Sequence, residues 1–412
     1  MGHWDLELGH SLDIGIWKLD IQMHKPIASL SLDLDNKWSY MKTHGDAGWD
    51  SFPSYLDVCV PRFLEFLAQR DIKITVFVVG QDAALEKNHD ALASISAAGH
   101  EIGNHSFHHE PWLHLYSRVQ INEELARAEE HIERVTGQLP VGFRGPGFSL
   151  SHDVLRVLKQ RGYEYDCSTF PTFLGPLARL YYFLTARLDD QQKQERKKLF
   201  GTMGEGFRPL RPYAWSVTPD EVRPCAIPAS RRASAPGRFP NTERCPNAAV
   251  VRGLTPSGSL DSRELLEIPV TTMPWFKVPM HVSYLLYLDQ FSRPLAMTYW
   301  RMALTLCRMS GVAPSLLLHP LDFLGRDDDR DLDFFPAMRS PSARKVELVG
   351  KVIDEMARHY QIVPMRAHAA AIMGRNLGVR WPDTALPSIG NNRSCNDPTS
   401  DASCHEVAAL RS

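Results

Sequence analysis

Apolar positions along this chain fall into two alternating rhythms. Ile27–Leu34 is a short apolar run and predicts a strand ending at Asp33 and Asp35. Phe63, Leu64 and Leu67 share one face of a helix that continues through Pro61–Gln69, and the β-branched stretch Ile72–Val79 predicts a buried strand stopping at Gly80. A helix over about His89–Ala98, stopped by Gly99, precedes a short strand that delivers His105. Ser117 and Gln120 form a capping box, and Ile121, Leu125, Ala128, Ile132 and Val135 recur at spacings of 4, 3, 4 and 3 in a helix ended by Gly137. Strand Val141–Arg144, helix Asp153–Lys159 with Gly162 behind it, and strand Tyr163–Cys167 repeat the unit. Strand, helix, strand in succession predicts parallel strands joined by right-handed crossovers, with the chemistry at the strand ends.

Chemistry gathers at two of those ends. Asp33 and Asp35 stand one residue apart after the first strand, and His105 and His109 stand four apart after the third. One carboxylate and two imidazoles can surround a divalent metal and leave the other carboxylate as a base. A metal with three protein ligands keeps an open position, where water loses its proton far more readily than in bulk. Asp35 is assigned to the metal and Asp33 to the base, with the reverse order open. His108 competes with His109, but the spacing from His105 suits a helical turn and favours His109.

Composition narrows the classes. At 412 residues and 43% apolar content the chain is long enough for one large domain or two ordinary ones. A net charge of −2, with no basic stripe carrying aromatics, argues against a nucleic-acid partner. The 7 cysteines are scattered without a Cys-x-x-Cys pair, which predicts reduced thiols and a cytoplasmic protein, peripheral on the inner membrane face if a lipid is involved. Residues 1–25 mix charges with apolar positions, have no unbroken hydrophobic core, and are expected as an N-terminal extension. Residues 222–258 interleave proline with arginine and predict a disordered insertion; residues 371–412 predict a disordered tail.

Five segments together resemble the NodB-type polysaccharide deacetylases, carbohydrate esterase family 4. Asp33-Leu34-Asp35 is similar to the family's first motif, and His105-Ser106-Phe107-His108-His109 to its His-Ser/Thr-x-x-His motif. Phe143-Arg144-Gly145-Pro146-Gly147-Phe148 resembles the third, Tyr163-Glu164-Tyr165-Asp166-Cys167-Ser168 the fourth, and Leu316-Leu317-Leu318-His319-Pro320 the closing Leu-x-His-Pro. Gly147 departs from the pattern, standing where many members carry an aromatic. The resemblance covers about residues 27–215 and 262–325.

The resemblance implies an α/β fold, a distorted and incomplete (β/α) barrel of about seven parallel strands, over residues 26–370. It implies a divalent metal, zinc first, on Asp35, His105 and His109, with Asp33 as a base steadied by Arg144. A backbone N–H near Gly147 and Phe148 would bind the oxyanion or substrate, and His319 would be the general acid, oriented by Asp166. The implied reaction is hydrolysis of an N-acetyl amide on an amino sugar or glycan, releasing acetate. The alternatives are a deformylase of a lipid-linked amino sugar and a non-catalytic carbohydrate-binding relative.

Residues 170–184, dense in Phe, Tyr and Leu beside arginines, are read as lid or core, or else as a contact to a membrane or lipid-linked substrate; Pro269–Leu288 could complete such a wall. The acidic run Arg326–Asp333 reads as a solvated loop, since it lacks the glycine and closing glutamate of a calcium loop. Cys167 reads as a small core residue, and His281 and His368 as surface or packing residues.

Overall fold

The computed structural model describes residues 25–174, 203–217, 264–375 and 377–382. The expected extension 1–25, all but its last residue, the insertion 222–258 and most of the 170–184 segment lie outside those residues.

One sheet carries all the described strands: β1 Ile27–Leu34, β2 Thr75–Val78, β3 Glu101–Asn104, β4 Gly142–Phe143, β5 Tyr165–Asp166, β6 Tyr213–Ser216, β7 Glu264–Glu267, β8 Ser315–Leu318, β9 Gln361–Val363 and β10 Val379–Arg380. Its order is β10-β6-β7-β5-β4-β3-β2-β1-β8, with β9 also on β1. From β7 to β8 the pairings are parallel and number seven strands, as expected. β6 runs antiparallel to β7 and carries β10. No strand pairing closes the sheet between β7 and β8 among the described residues. The chain just past β7 nevertheless reaches β8, where the Thr271 N–H donates to Ser315 O at 3.0 Å and the Ser315 N–H to Thr271 Oγ1 at 2.8 Å.

β1 shows how the sequence specifies this arrangement. It is buried along nearly its whole length, as a parallel strand covered on both faces must be. Ala28, Leu30, Leu32 and Leu34 join the main core, which includes Phe63, Leu67, Val349 and Ile353. The alternate row, Ser29, Ser31, Asp33 and Asp35, faces inward. There Ser29 meets His368, and Ser31 and Asp33 meet Arg144.

Helices cover the outer face. Arg118–Thr136 starts at the Ser117–Gln120 capping box and stops at Gly137, whose φ of 71° needs no Cβ. Helix Met365–Ile372 packs instead with Phe77 and Tyr165 on the inner face, its Met365 N–H donating to Thr75 Oγ1 at 2.7 Å. The tail boundary expected at 371 is therefore corrected. It falls inside this helix, and Val379–Arg380 pairs with Ala214–Trp215, because β6 offers a free edge for two more residues.

Candidate active site

Register gathers the strand ends. Ser31 and Leu32 pair with Leu317 and Leu318, while Asp33 and Leu34 pair with Phe77 and Val78. Extending the β1–β8 pairing by one residue puts His319 on the same rung as Asp33, about 4.8 Å away at the backbone. The His105 N–H donates to Val78 O at 3.0 Å, which sets His105 one step past β3.

His105 and His109 do converge, but not on the helical turn expected from their spacing. Ser106 at φ 63° and His109 at φ 53° make left-handed bends in a loop. That loop is tied down from two sides. Gly80 and Gln81 N–H groups donate to Ser106 O and Phe107 O at 2.9 and 3.0 Å. Glu124 Oε2 accepts from the Phe107 and His108 N–H groups at 3.1 and 3.0 Å, and its Oε1 holds the His108 ring. His108 is thereby committed to Glu124, which leaves His109 for the cluster.

The Nε2 atoms of His105 and His109 lie 3.3 and 2.9 Å from Asp35 Oδ1. This is the group of metal-ligating side chains found among the described residues, with its ligand atoms all within 4.8 Å of one another. Asp35 Oδ1 is buried without a hydrogen bond of acceptable geometry, and so is His109 Nδ1. Two imidazole nitrogens and a hard carboxylate oxygen fit a divalent cation, because ligands at about 2.1 Å from a common centre stand about 3–3.4 Å apart. Arg144 O accepts from His105 Nδ1 at 2.6 Å, fixing the tautomer that turns Nε2 toward Asp35. Tyr40 donates to Asp35 Oδ2 at 3.3 Å and Tyr55 to Asp35 O. Burial alone would raise the Asp35 pKa, but His109 and His105 hold it well below the carboxylate range. His105 is raised by Asp33 and Asp35 against its burial.

Arg144 is fully buried and binds three strands together. Its Nη1 donates to Asp33 Oδ1 at 2.6 Å and to Ser31 Oγ at 2.9 Å, its Nε to Cys167 O at 3.2 Å, and its guanidinium lies 4.4 Å over the Phe77 ring. Asp33 is thus held by Arg144, while Asp35 lies against the histidines. The following turn is tight. A Cβ at Gly145 would stand 2.1 Å from Ser149 O, and Gly147 takes φ 58°. The Gly145 N–H donates to Ser168 Oγ and the Phe148 N–H to Gly145 O, while the Phe148 ring stacks on Phe170 at 4.9 Å. Gly147 is exposed beside them.

The expected bond of Asp166 to His319 is not seen among the described residues. Its carboxylate accepts from Ser168 Oγ at 2.6 Å and faces Glu267, which in turn accepts from Thr169 and Trp215. Burial pushes both acids upward, Glu267 well above its usual value, and Ser168 Oγ links Asp166 to the Gly145 N–H. Asp322 lies beside His319. The His319 N–H donates to Asp322 Oδ2 at 2.8 Å, and Ser283 Oγ lies 2.9 Å from Asp322 Oδ1 and 3.4 Å from His319 Nδ1. Asp322 follows the closing motif by two residues, so the signal was adjacent and unread. His281 is buried against His319, Phe170 and Tyr284, with rings 6.1, 5.5 and 4.7 Å apart, so it packs in the site rather than on the surface.

The other segments resolve simply. Cys167 is fully buried. The acidic run is consumed by pairing: Asp328 with Arg62, Asp329 and Asp331 with Lys37, and Asp327 with Ser342. Val270, Met273, Met280 and Val282 of the 269–288 stretch are core, whereas Trp275 and Phe276 stand 66% and 61% exposed on a turn.

Residues 46–165 match the family model described as Polysaccharide deacetylase, a span that includes His105, His109 and Arg144 but not Asp33, Asp35 or His319. The chain is 29% identical over 112 residues to the peptidoglycan deacetylase of Helicobacter pylori, covering 27% of this chain and 37% of that protein. It is 34% identical over 105 residues to the peptidoglycan-N-acetylmuramic acid deacetylase PdaA of Bacillus subtilis, covering 25% and 39%. A crystal structure of a candidate polysaccharide deacetylase from Mycobacterium smegmatis aligns with 86% of this chain and 93% of its own at 18% identity and a TM-score of 0.49. The chain spans little more than a third of the curated relatives it matches. Residues 46–165 are thus similar to a polysaccharide deacetylase domain.

Proposed function

We propose that this protein is a hydrolase that removes the N-acetyl group from an amino sugar in a peptidoglycan- or chitin-type glycan. The observation that carries the reading is the convergence of Asp35, His105 and His109 in one cluster, beside the strand end where Arg144 holds Asp33. A divalent cation, zinc by the character of its ligands, would sit on the three and supply Lewis acidity and a more acidic water. Asp33, held in one orientation by Arg144, takes the proton of the attacking water. The developing oxyanion would be held by a backbone N–H near Gly147, at the exposed corner of the Gly145–Phe148 turn. His319, backed by Asp322, gives the leaving nitrogen its proton, so that acetate and a free amine separate. Deacetylase names among the relatives support the reaction class.

We also propose a cytoplasmic location, which rests on cysteine usage; Cys59, Cys167 and Cys307 are free and buried. A lipid-linked carrier rests only on residues 170–184. Of these, Phe170 packs against Phe148 and His281.

Mass spectrometry of N-acetyl and N-formyl amino sugars, as free oligomers, nucleotide-linked and polyprenyl-linked, tests the reading. Loss of acetyl that stops on chelation and returns with added zinc is expected. Intact substrates throughout the panel, with stoichiometric metal bound, would point to the non-catalytic relative.

A further inference from the structure

A second cavity, of about 910 Å³, lies where the β6–β10 edge faces the segment before β8 and helix Met365–Ile372. Arg208, Arg211, Arg375 and Arg380 all line it, and no aspartate or glutamate does. Arg211 is committed to Ser310 O at 2.5 Å. Arg208, Arg375 and Arg380 have no carboxylate partner among the described residues. Their field is felt locally, since burial and Arg380 together push Lys277 below its ordinary value.

Three buried polar groups of the lining also lack partners: Arg208 Nε, Tyr213 Oη and His368 Nε2. These residues are 9%, 2% and 1% exposed. The other His368 nitrogen is tied to Ser29 Oγ at 2.9 Å. Ser29 lies at the start of β1 and Asp35 just past its end, about 20 Å further along the strand. The His368 wall of the cavity is therefore well removed from the metal cluster.

Like charges brought together without counter-ions repel, and buried donors without acceptors carry a desolvation cost. Both conditions are relieved by an anion with several acceptor oxygens. Guanidinium forks match phosphate oxygens in pairs, and the Arg208 guanidinium is already placed over Trp215, 5.7 Å from the ring. The volume is that of sites for whole small molecules, about 300–1,000 Å³, so a bare ion would leave most of it empty. Trp381, 67% exposed at the rim, offers a face for the remainder.

We propose that this cavity binds a phosphate or diphosphate group, with Arg208, Arg375 and Arg380 as its cations and Tyr213 and His368 as neutral donors. The inference is independent of the deacetylase reading. Because a catalytic metal also attracts phosphate, the test uses the full chain after chelation. Calorimetric titration with inorganic pyrophosphate, and separately with a nucleoside-diphosphate sugar, should show one-to-one binding at a Kd below about 1 mM. Tighter binding of the sugar would identify a carried diphosphate, and equal binding the free anion.

The double variant R375Q/R380Q changes two exposed side chains and should weaken binding at least about tenfold without moving Tm. R326Q, an arginine paired with Asp333 elsewhere, should bind as the parent does. Absence of binding up to about 10 mM of either probe, binding unchanged in R375Q/R380Q, or binding that disappears with the metal would overturn the proposal.

Discussion

The two halves of the proposed active site, metal and acid, are built on opposite principles. In the metal half, His105 is 2% exposed and held at Nδ1 by a backbone carbonyl 2.6 Å away, leaving its ring one tautomer and one direction. In the proposed acid half, the His319 ring lies 3.4 Å from the Ser283 hydroxyl, while Asp322 secures its backbone at 2.8 Å. A ligand works by staying fixed, whereas a proton donor must exchange its proton in every cycle. Rigidity therefore comes from strand and loop backbone on one side and from a short polar relay on the other.

The largest expected effect tests the metal half. Asp35→Ala or His105→Ala should empty the site, shown by elemental analysis, and reduce turnover below roughly 10⁻⁴ of the parent. Far-ultraviolet circular dichroism should remain unchanged, since the sheet does not depend on the cation. Full metal occupancy in His105→Ala would remove that residue from the ligand set.

Next come the two proton carriers. Asp33→Asn and His319→Ala should each keep the metal and lose about 10²–10⁴-fold in rate. Should Asp33→Asn lose its metal as readily as Asp35→Asn, the carboxylates act jointly and the division made by Arg144 is wrong.

Asp322→Asn sharpens the contrast further. It should lower kcat by about 10–100-fold with metal content and KM nearly unchanged. Asp166→Asn should cost less in kcat than Asp322→Asn, because Asp166 is bonded through Ser168 to the Gly145 turn and not to His319. A larger loss of kcat in Asp166→Asn than in Asp322→Asn would reverse the assignment.

The smallest effect concerns stability. Burial and His319 push the His281 pKa down to about 3, below about 6.5 for an unfolded chain. His319, Phe170 and Tyr284 surround its ring. For a base whose folded value is depressed, the unfolded state binds the extra proton. The contribution is complete above about pH 6.5 and is lost as pH falls toward 3. Urea unfolding of His281→Gln should show a shallower decline over that window than the parent; equal slopes would mean His281 is not neutral in the fold.

The sequence by itself determined the strand–helix alternation, the capping box at Ser117 and the separation of metal residues from acid residues along the chain. These are local: periodicity, caps and glycine stops act within a turn or two. It also paired Asp35 with His105 and His109, although for a helical reason that the loop replaces. Only the tertiary structure decided which group serves His319, because Asp166 on β5 and Asp322 after β8 are equally plausible until the sheet order seats β5 against β7 and Glu267. It alone brought Arg208, Arg375 and Arg380 around one cavity, since their convergence depends on β10 pairing with β6, a contact that no local pattern encodes. Hydrophobic rhythm reports what a residue does within its own element. Charge placement depends on which elements end up side by side, and that is fixed by long-range packing.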